Sequence, residues 1–309
     1  MILITGGLGF FGTSLARYLL EQGEEVLLTR WRTSRIPTFL TKHLDKKLKV
    51  VDCNILDFTN LFAVLKKHPV KSIIHTAMVT LAKASLYQGV KTSLEGTANV
   101  LEAARLMDIE KVTYTSSLTV YYGIKSEMPY KETMAIAIDV KHPIASEKIA
   151  AEAICNLYAE QVGLELIIVR PSMIYGPGSY SGYGPLPLMV EGVVREKRVV
   201  IPQFHPEYSM DFLYIDDCSR AIGMIHLTKE PKDKVYNIAT GKSHTLKEVT
   251  EVINKLIPDS HIELKGESPP RDPFILDVSR LRDEFGYQPK YDLEHGIQEY
   301  IDWIVRGKT

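Results

Sequence analysis

The chain has little cysteine, almost no net charge and no long apolar run, and each shortage removes a class of protein. Three cysteines, Cys53, Cys155 and Cys218, are too few and too scattered among 309 residues for a disulfide framework or a metal site. A net charge of -1 leaves no electrostatic footprint for nucleic acid or an anionic membrane surface. The longest apolar runs, such as Leu164 to Val169, fall far short of the roughly 20 residues that span a bilayer. Low-complexity tracts and internal repeats are missing too, and because Met1 leads straight into an apolar strand, no signal peptide is expected. The expectation is a cytoplasmic protein acting on a small-molecule substrate, with no metal and no nucleic-acid or membrane partner. With 45% hydrophobic residues over this length, the chain has material for a sizeable core.

What is present is concentrated at the start. The apolar run Ile2-Leu3-Ile4 breaks into Thr5-Gly6-Gly7-Leu8-Gly9-Phe10-Phe11-Gly12, and Leu15, Leu19 and Leu20 then recur on one helical face before Gly23 and a second strand, Val26-Leu27-Leu28. Gly6, Gly9 and Gly12 have the dinucleotide-binding spacing: missing side chains permit a tight turn, close approach of a pyrophosphate and close helix-on-strand packing. The first amides of the helix then face the phosphates, with Phe10 and Phe11 beside them.

The second strand ends at Arg30, eighteen positions after Gly12, where an NAD-binding chain usually places an acid for the ribose hydroxyls. Arg30, Arg32 and Arg35 form a positive cluster suited to a 2'-phosphate, which favours NADP. An arginine here also stacks on adenine without needing the phosphate, so NAD is the alternative.

Strand-like runs at Lys49 to Val51, Ser72 to His75, Lys111 to Thr115 and Leu164 to Val169 alternate with helical stretches. The spacing predicts an α/β fold, a Rossmann-like doubly wound parallel sheet. Prolines and glycines thicken after Arg170, where a smaller C-terminal substrate-binding subdomain is expected. The dinucleotide-binding domain is placed at 1–172 with a later return near 212–240, and the substrate subdomain at 173–309, interleaved with it. Ile297, Ile301 and Ile304 mark a closing helix.

These landmarks together resemble the extended short-chain dehydrogenase/reductases, the NAD(P)-dependent epimerases and dehydratases. Asn54-Ile55 stands where the family flanks adenine, Ile74-His75-Thr76-Ala77 is similar to its strand-end motif, and Gly96-Thr97-Ala98-Asn99-Val100 to its central helix. Thr115-Ser116-Ser117 resembles the active-site strand, and Arg170-Pro171-Ser172-Met173, Asp211-Phe212 and Asn237-Ile238-Ala239-Thr240-Gly241 the later signatures. The resemblance implies cofactor contacts from Thr76, Ala77, Ser93, Lys148 and Pro171. It also implies a homodimer through the helices of Gly96–Met107 and Pro143–Val162.

In that family a tyrosine four residues before a helix lysine moves the proton, the lysine lowers the tyrosine's pKa and holds the nicotinamide ribose, and a serine or threonine binds the substrate oxygen. Ser117 and Lys148 match. Ile144 stands in place of the tyrosine, and isoleucine transfers no proton. Tyr121, Tyr122 and His142 are the candidate replacements, Tyr121 the one carried forward beside Ser117 and Lys148. Met173 and Met210 replace the polar residues that sugar-nucleotide relatives direct at the substrate diphosphate, while Arg271 resembles their late phosphate-binding arginine. Ser117, Ile144, Met173, Met210 and Arg271 are therefore the expected substrate contacts. Three readings follow: an oxidoreductase or epimerase on a sugar-derived or other hydroxy or keto metabolite, a non-redox lyase or isomerase, and a catalytically silent NADP-binding module.

Overall fold

A computed structural model describes residues 1–31, 35–79, 85–125, 127–179, 184–267 and 273–307. Arg32 and Arg271 lie outside the described residues. The chain forms two compact units, one of Met1–Lys125, Thr133–Arg170 and Ser219–Tyr236, the other of Ser126–Glu132, Pro171–Cys218 and Asn237–Thr309.

The first unit carries β1 (Ile2–Thr5), α1 (Phe10–Glu21), β2 (Val26–Arg30), the short α2 (Thr38–Thr41), β3 (Leu48–Asp52) and α3 (Phe58–Lys67). It continues through β4 (Ser72–His75), α4 (Leu86–Leu106), β5 (Lys111–Thr115), α5 (Pro143–Val162) and β6 (Leu166–Pro171). The seven-stranded sheet runs Val235–Ile238, β6, β5, β4, β1, β2, β3. The strand order reverses beside β1, and in such sheets ligands bind at the carboxyl ends of the strands next to that switch. Leu3, Leu27, Ile73, Val112 and Ile168 join α3, α4 and α5 residues in one apolar core.

Helix boundaries follow local chemistry. α5 starts with Pro143 at its first position and ends at Gly163, whose φ of 67° is the left-handed cap that glycine adopts most cheaply. α4 begins at Leu86, earlier than the run from Gly96 suggests, because Ser85 and Gln88 form a reciprocal capping box.

Two buried histidines brace the sheet. His226 bridges Ser72 Oγ and Thr113 Oγ1, both at 2.8 Å. His75 lies between Thr5 Oγ1 at 2.6 Å and Thr97 Oγ1 at 3.1 Å. The Thr97 hydroxyl donates to the Ser93 carbonyl, so His75 Nε2–H donates to Thr97 and Nδ1 accepts from Thr5. Burial lowers both imidazoles to about 3, well below the usual 6.5. The unfolded chain therefore binds more protons between pH 6.5 and 3, and stability present at neutrality is lost as pH falls through that window. At pH 5 the pair is expected to remove on the order of a few kcal/mol. Urea unfolding at pH 7 and pH 5 checks this: His226→Asn should make the acid loss smaller, and an unchanged loss would contradict it.

The second unit is irregular by comparison. Met173–Tyr175 pairs in parallel with Phe212–Tyr214, Arg198–Ile201 with His261–Leu264, and Ser209–Met210 antiparallel with His244–Thr245. Helices Pro185–Glu196, Leu246–Leu256, Ser279–Phe285 and Leu293–Val305 cover these pairs, and Ile297 and Ile301 are buried as their spacing predicts.

Candidate active site

The glycine loop is built from steric necessity. Gly6 has φ 66°, and a Cβ there would meet the Ala77 Cα at 2.8 Å; a Cβ on Gly12 would meet the Gly6 carbonyl at 2.6 Å and the Gly7 Cα at 2.7 Å. Gly9 differs: it is exposed, caps α1 with no side-chain hydrogen bond, and its Cβ would meet only the Gly6 carbonyl, at 3.1 Å. The space over Gly9 is therefore open at a helix N-terminus, where backbone amides and dipole suit a phosphate. Gly9→Ala should keep the fold and weaken dinucleotide binding by about tenfold or more, whereas Gly12→Ala should lower the unfolding temperature as well. Calorimetry and thermal melts separate the two; unaltered binding in Gly9→Ala would contradict the assignment.

The loop's far wall is Thr76-Ala77. Thr5 Oγ1 accepts from the Thr76 amide at 3.2 Å, and Thr76 Oγ1 donates to the Thr5 carbonyl at 2.7 Å. His75 orients Thr5, so the buried histidine serves the site through its neighbours. Ile55 is buried and packs where Gly96 lacks a side chain, at 2.5 Å from a Cβ that residue would carry. Asn54 Oδ1 accepts from the Leu56 amide at 3.1 Å, and Asn99 donates to the Ile55 carbonyl at 2.9 Å, so the segment expected beside adenine is fixed from both sides.

Arg30 changes the expectation at the ribose. Its guanidinium forms a two-pronged pair with Asp52, Nε to Oδ1 at 2.6 Å and Nη2 to Oδ2 at 3.0 Å. The cluster expected to receive a 2'-phosphate thus contains a carboxylate that the spacing did not reveal.

Ser117 follows β5, half-buried and extended, and its Oγ accepts from the Thr119 amide at 3.2 Å while capping the turn Leu118–Tyr121. Lys148 sits on α5 one turn after Ile144, buried, its Nζ donating to the Thr115 carbonyl at 2.6 Å and lying 4.8 Å from the Tyr114 ring centre. Burial lowers its ammonium to about 8, into the range where proton exchange near neutrality is efficient.

Three residues expected at the site are buried among partners within the protein. Tyr121 is fully buried, with its hydroxyl accepting from Arg170 Nη1 at 2.8 Å. Ser93 is buried and donates to Glu147 Oε2 at 2.8 Å, tying α4 to α5. Met210 is buried in the strand pair with His244. Met173 is half-buried, its sulfur 3.2 Å from a Cβ built on Gly184. Pro171 ends β6, buried. Beside Met210, the fully buried Asp211 accepts from Ser172 Oγ, Thr240 Oγ1 and the amides of Thr240 and Gly241, which makes the late signatures a structural clasp within the second unit.

Among the described residues no cluster of histidine, cysteine, aspartate and glutamate is arranged to hold a metal, and no helix is long and apolar enough to cross a membrane.

A phosphate-ready glycine loop at the switch point of a parallel sheet, followed by a buried lysine on α5, is the architecture of a dinucleotide-binding α/β enzyme. The chain belongs to the NAD dependent epimerase/dehydratase family, which it matches over residues 2–239. It is 26% identical to the UDP-glucose 4-epimerase of Mycolicibacterium smegmatis, covering 99% of each chain. It is 27% identical to the dTDP-4-dehydro-6-deoxyglucose reductase of Escherichia coli, covering 98% of this chain and 97% of that one. The fold is shared with the UDP-glucose 4-epimerase of Thermotoga maritima solved with UDP-glucose, at a TM-score of 0.86, 24% identity and 99% coverage of both chains. It is also shared with the NAD complex of Bacillus anthracis dTDP-glucose 4,6-dehydratase, at a TM-score of 0.85, 24% identity and coverage of 99% and 97%.

Proposed function

We propose that this chain is a nicotinamide-dinucleotide-dependent oxidoreductase or epimerase acting on a sugar nucleotide. The observation that carries the reading is end-to-end similarity to enzymes named for UDP- and dTDP-sugars, combined with a cofactor loop and an α5 lysine that are both retained. Gly6, Gly9 and Gly12 would receive the pyrophosphate, Asn54 and Ile55 the adenine, and Lys148 the nicotinamide ribose. The cofactor supplies reversible hydride acceptance. Ser117 Oγ holds the substrate hydroxyl, and Lys148, whose ammonium burial lowers to about 8, takes the proton that Ile144 cannot. The NADP preference expected from the arginine cluster is weakened by the Arg30–Asp52 pair, and NAD is the cofactor we adopt.

Ile144 favours one competing reading, a non-redox lyase or isomerase, because loss of the tyrosine costs such chemistry nothing. Incubation with UDP- and dTDP-hexoses, followed by NMR, tests the proposal: an epimerised or 4-keto product supports it, and cleavage to two fragments selects the lyase.

A homodimer through α4 and α5 is part of the proposal. Leu86, Tyr87 and Val90 on α4 and Leu157 on α5 are exposed apolar side chains. Leu157→Glu should convert dimer to monomer in sedimentation analysis; a wild-type monomer would contradict it.

A further inference from the structure

β2 and β3 are parallel neighbours, and the register pairs Arg30 directly with Asp52 at their carboxyl ends, the same sheet edge on which Thr5 opens into the glycine loop. The two side chains meet in the bidentate geometry that matches a guanidinium to a carboxylate. Each stabilises the other's charge: their hydrogen bonds push Arg30 up and Asp52 down from their ordinary values. The Asp52 carboxylate is 78% exposed and the Arg30 side chain 32%, so the pair stands at the surface as a unit without net charge.

We propose that Asp52 is the residue that decides between the two nicotinamide dinucleotides, giving the adenosine-ribose edge a carboxylate from β3 where β2 provides only an arginine. The inference rests on the cofactor reading above. A carboxylate accepts hydrogen bonds only, and two of its lone pairs are spent on Arg30. Its remaining acceptor capacity suits a ribose 2'-hydroxyl, which donates. A 2'-phosphate brings close to two negative charges and no donor when ionised. To reach Arg30 it must displace Asp52 and then lie beside it, so the residue that occupies the arginine also repels the competitor. Discrimination of this kind comes as much from the repulsive element as from the attractive one.

The test is calorimetric binding of NAD+ and NADP+ to the wild type, Asp52→Asn and the double variant Asp52→Asn/Arg30→Gln. Asp52 is exposed, so these variants should fold, and a thermal melt of each checks it. Wild type should bind NAD+ at least tenfold more tightly than NADP+. Asp52→Asn should shift that ratio toward NADP+ by about tenfold or more, mainly by improving NADP+ binding, and the double variant should lose the gain. An NAD+/NADP+ ratio unchanged by Asp52→Asn, or a wild type that already prefers NADP+, would overturn the inference and leave nicotinamide-dinucleotide dependence standing. A wild type that binds neither dinucleotide would overturn the cofactor reading, and this inference with it.

Discussion

Replacement of Lys148 by methionine is expected to lower kcat/KM by about 10³-fold, within the range that general acid–base groups contribute. Ile144 carries no proton, the Tyr121 hydroxyl already accepts from Arg170, and Lys148 has an ammonium that burial brings down to about 8. The neutral amine is the form that takes a proton from a substrate hydroxyl held by Ser117. Activity of the wild type should therefore rise with pH toward an inflection near 8 and level off above it. Residual activity in Lys148→Met should lack that limb. A lysine that only positioned the ribose would raise KM and leave the pH profile unaltered, and that pattern would assign the proton elsewhere. Ile144→Tyr supplies the complementary comparison, since a phenol placed one turn before Lys148 should add a second, lysine-dependent route.

Glu152→Ala is expected to destabilise the protein by about 3–5 kcal/mol, the cost of leaving a buried charge without its partner. Glu152 on α5 and Arg170 on β6 are both buried and meet at 3.0 Å and 2.7 Å, Ser116 donates to the same carboxylate, and Tyr121 takes another arginine proton. This network joins the active-site strand, its following turn, α5 and β6, and so it sets the height of Lys148, one turn before Glu152. The double variant Glu152→Leu/Arg170→Met should lose less than either single change, because a well-packed apolar pair can replace a buried ionic one but half a pair cannot. Urea unfolding of the wild type, the Glu152 and Arg170 single variants and the double variant measures it, and a Glu152→Ala variant within about 1 kcal/mol of wild type would show the pair to be solvated.

The glycine loop and the ends of α5 were legible because their constraints are local. Gly6 and Gly12 are demanded by contacts with residues 6, 7 and 77, and the bounds of α5 by its own Pro143 and Gly163. The same locality explains what stayed hidden. Asp52 is 22 residues from Arg30 and meets it only because β2 and β3 align in register, so a scan for an acid along β2 passes it by. Strand ends read as neighbours rather than in sequence would have found it. Tyr121 follows the active-site strand as a catalytic tyrosine could, and only the folded position of Arg170 turns it inward. Methionine suits a core and a ligand surface equally, so the burial of Met210 had no sequence signature. His75 and Thr97 form a relay that holds Thr5 and thereby Thr76, a supporting role that no motif announces.

We propose above all that this chain transforms a sugar nucleotide through a bound nicotinamide dinucleotide despite Ile144. The most direct test is to strip the purified protein of nucleotide, then follow UDP-glucose and dTDP-glucose by NMR with and without added NAD+. Conversion that appears only when NAD+ is restored, with no net accumulation of NADH, is the predicted result. Conversion that proceeds undiminished in the stripped protein, or tight NAD+ binding with none of these substrates converted, would contradict it.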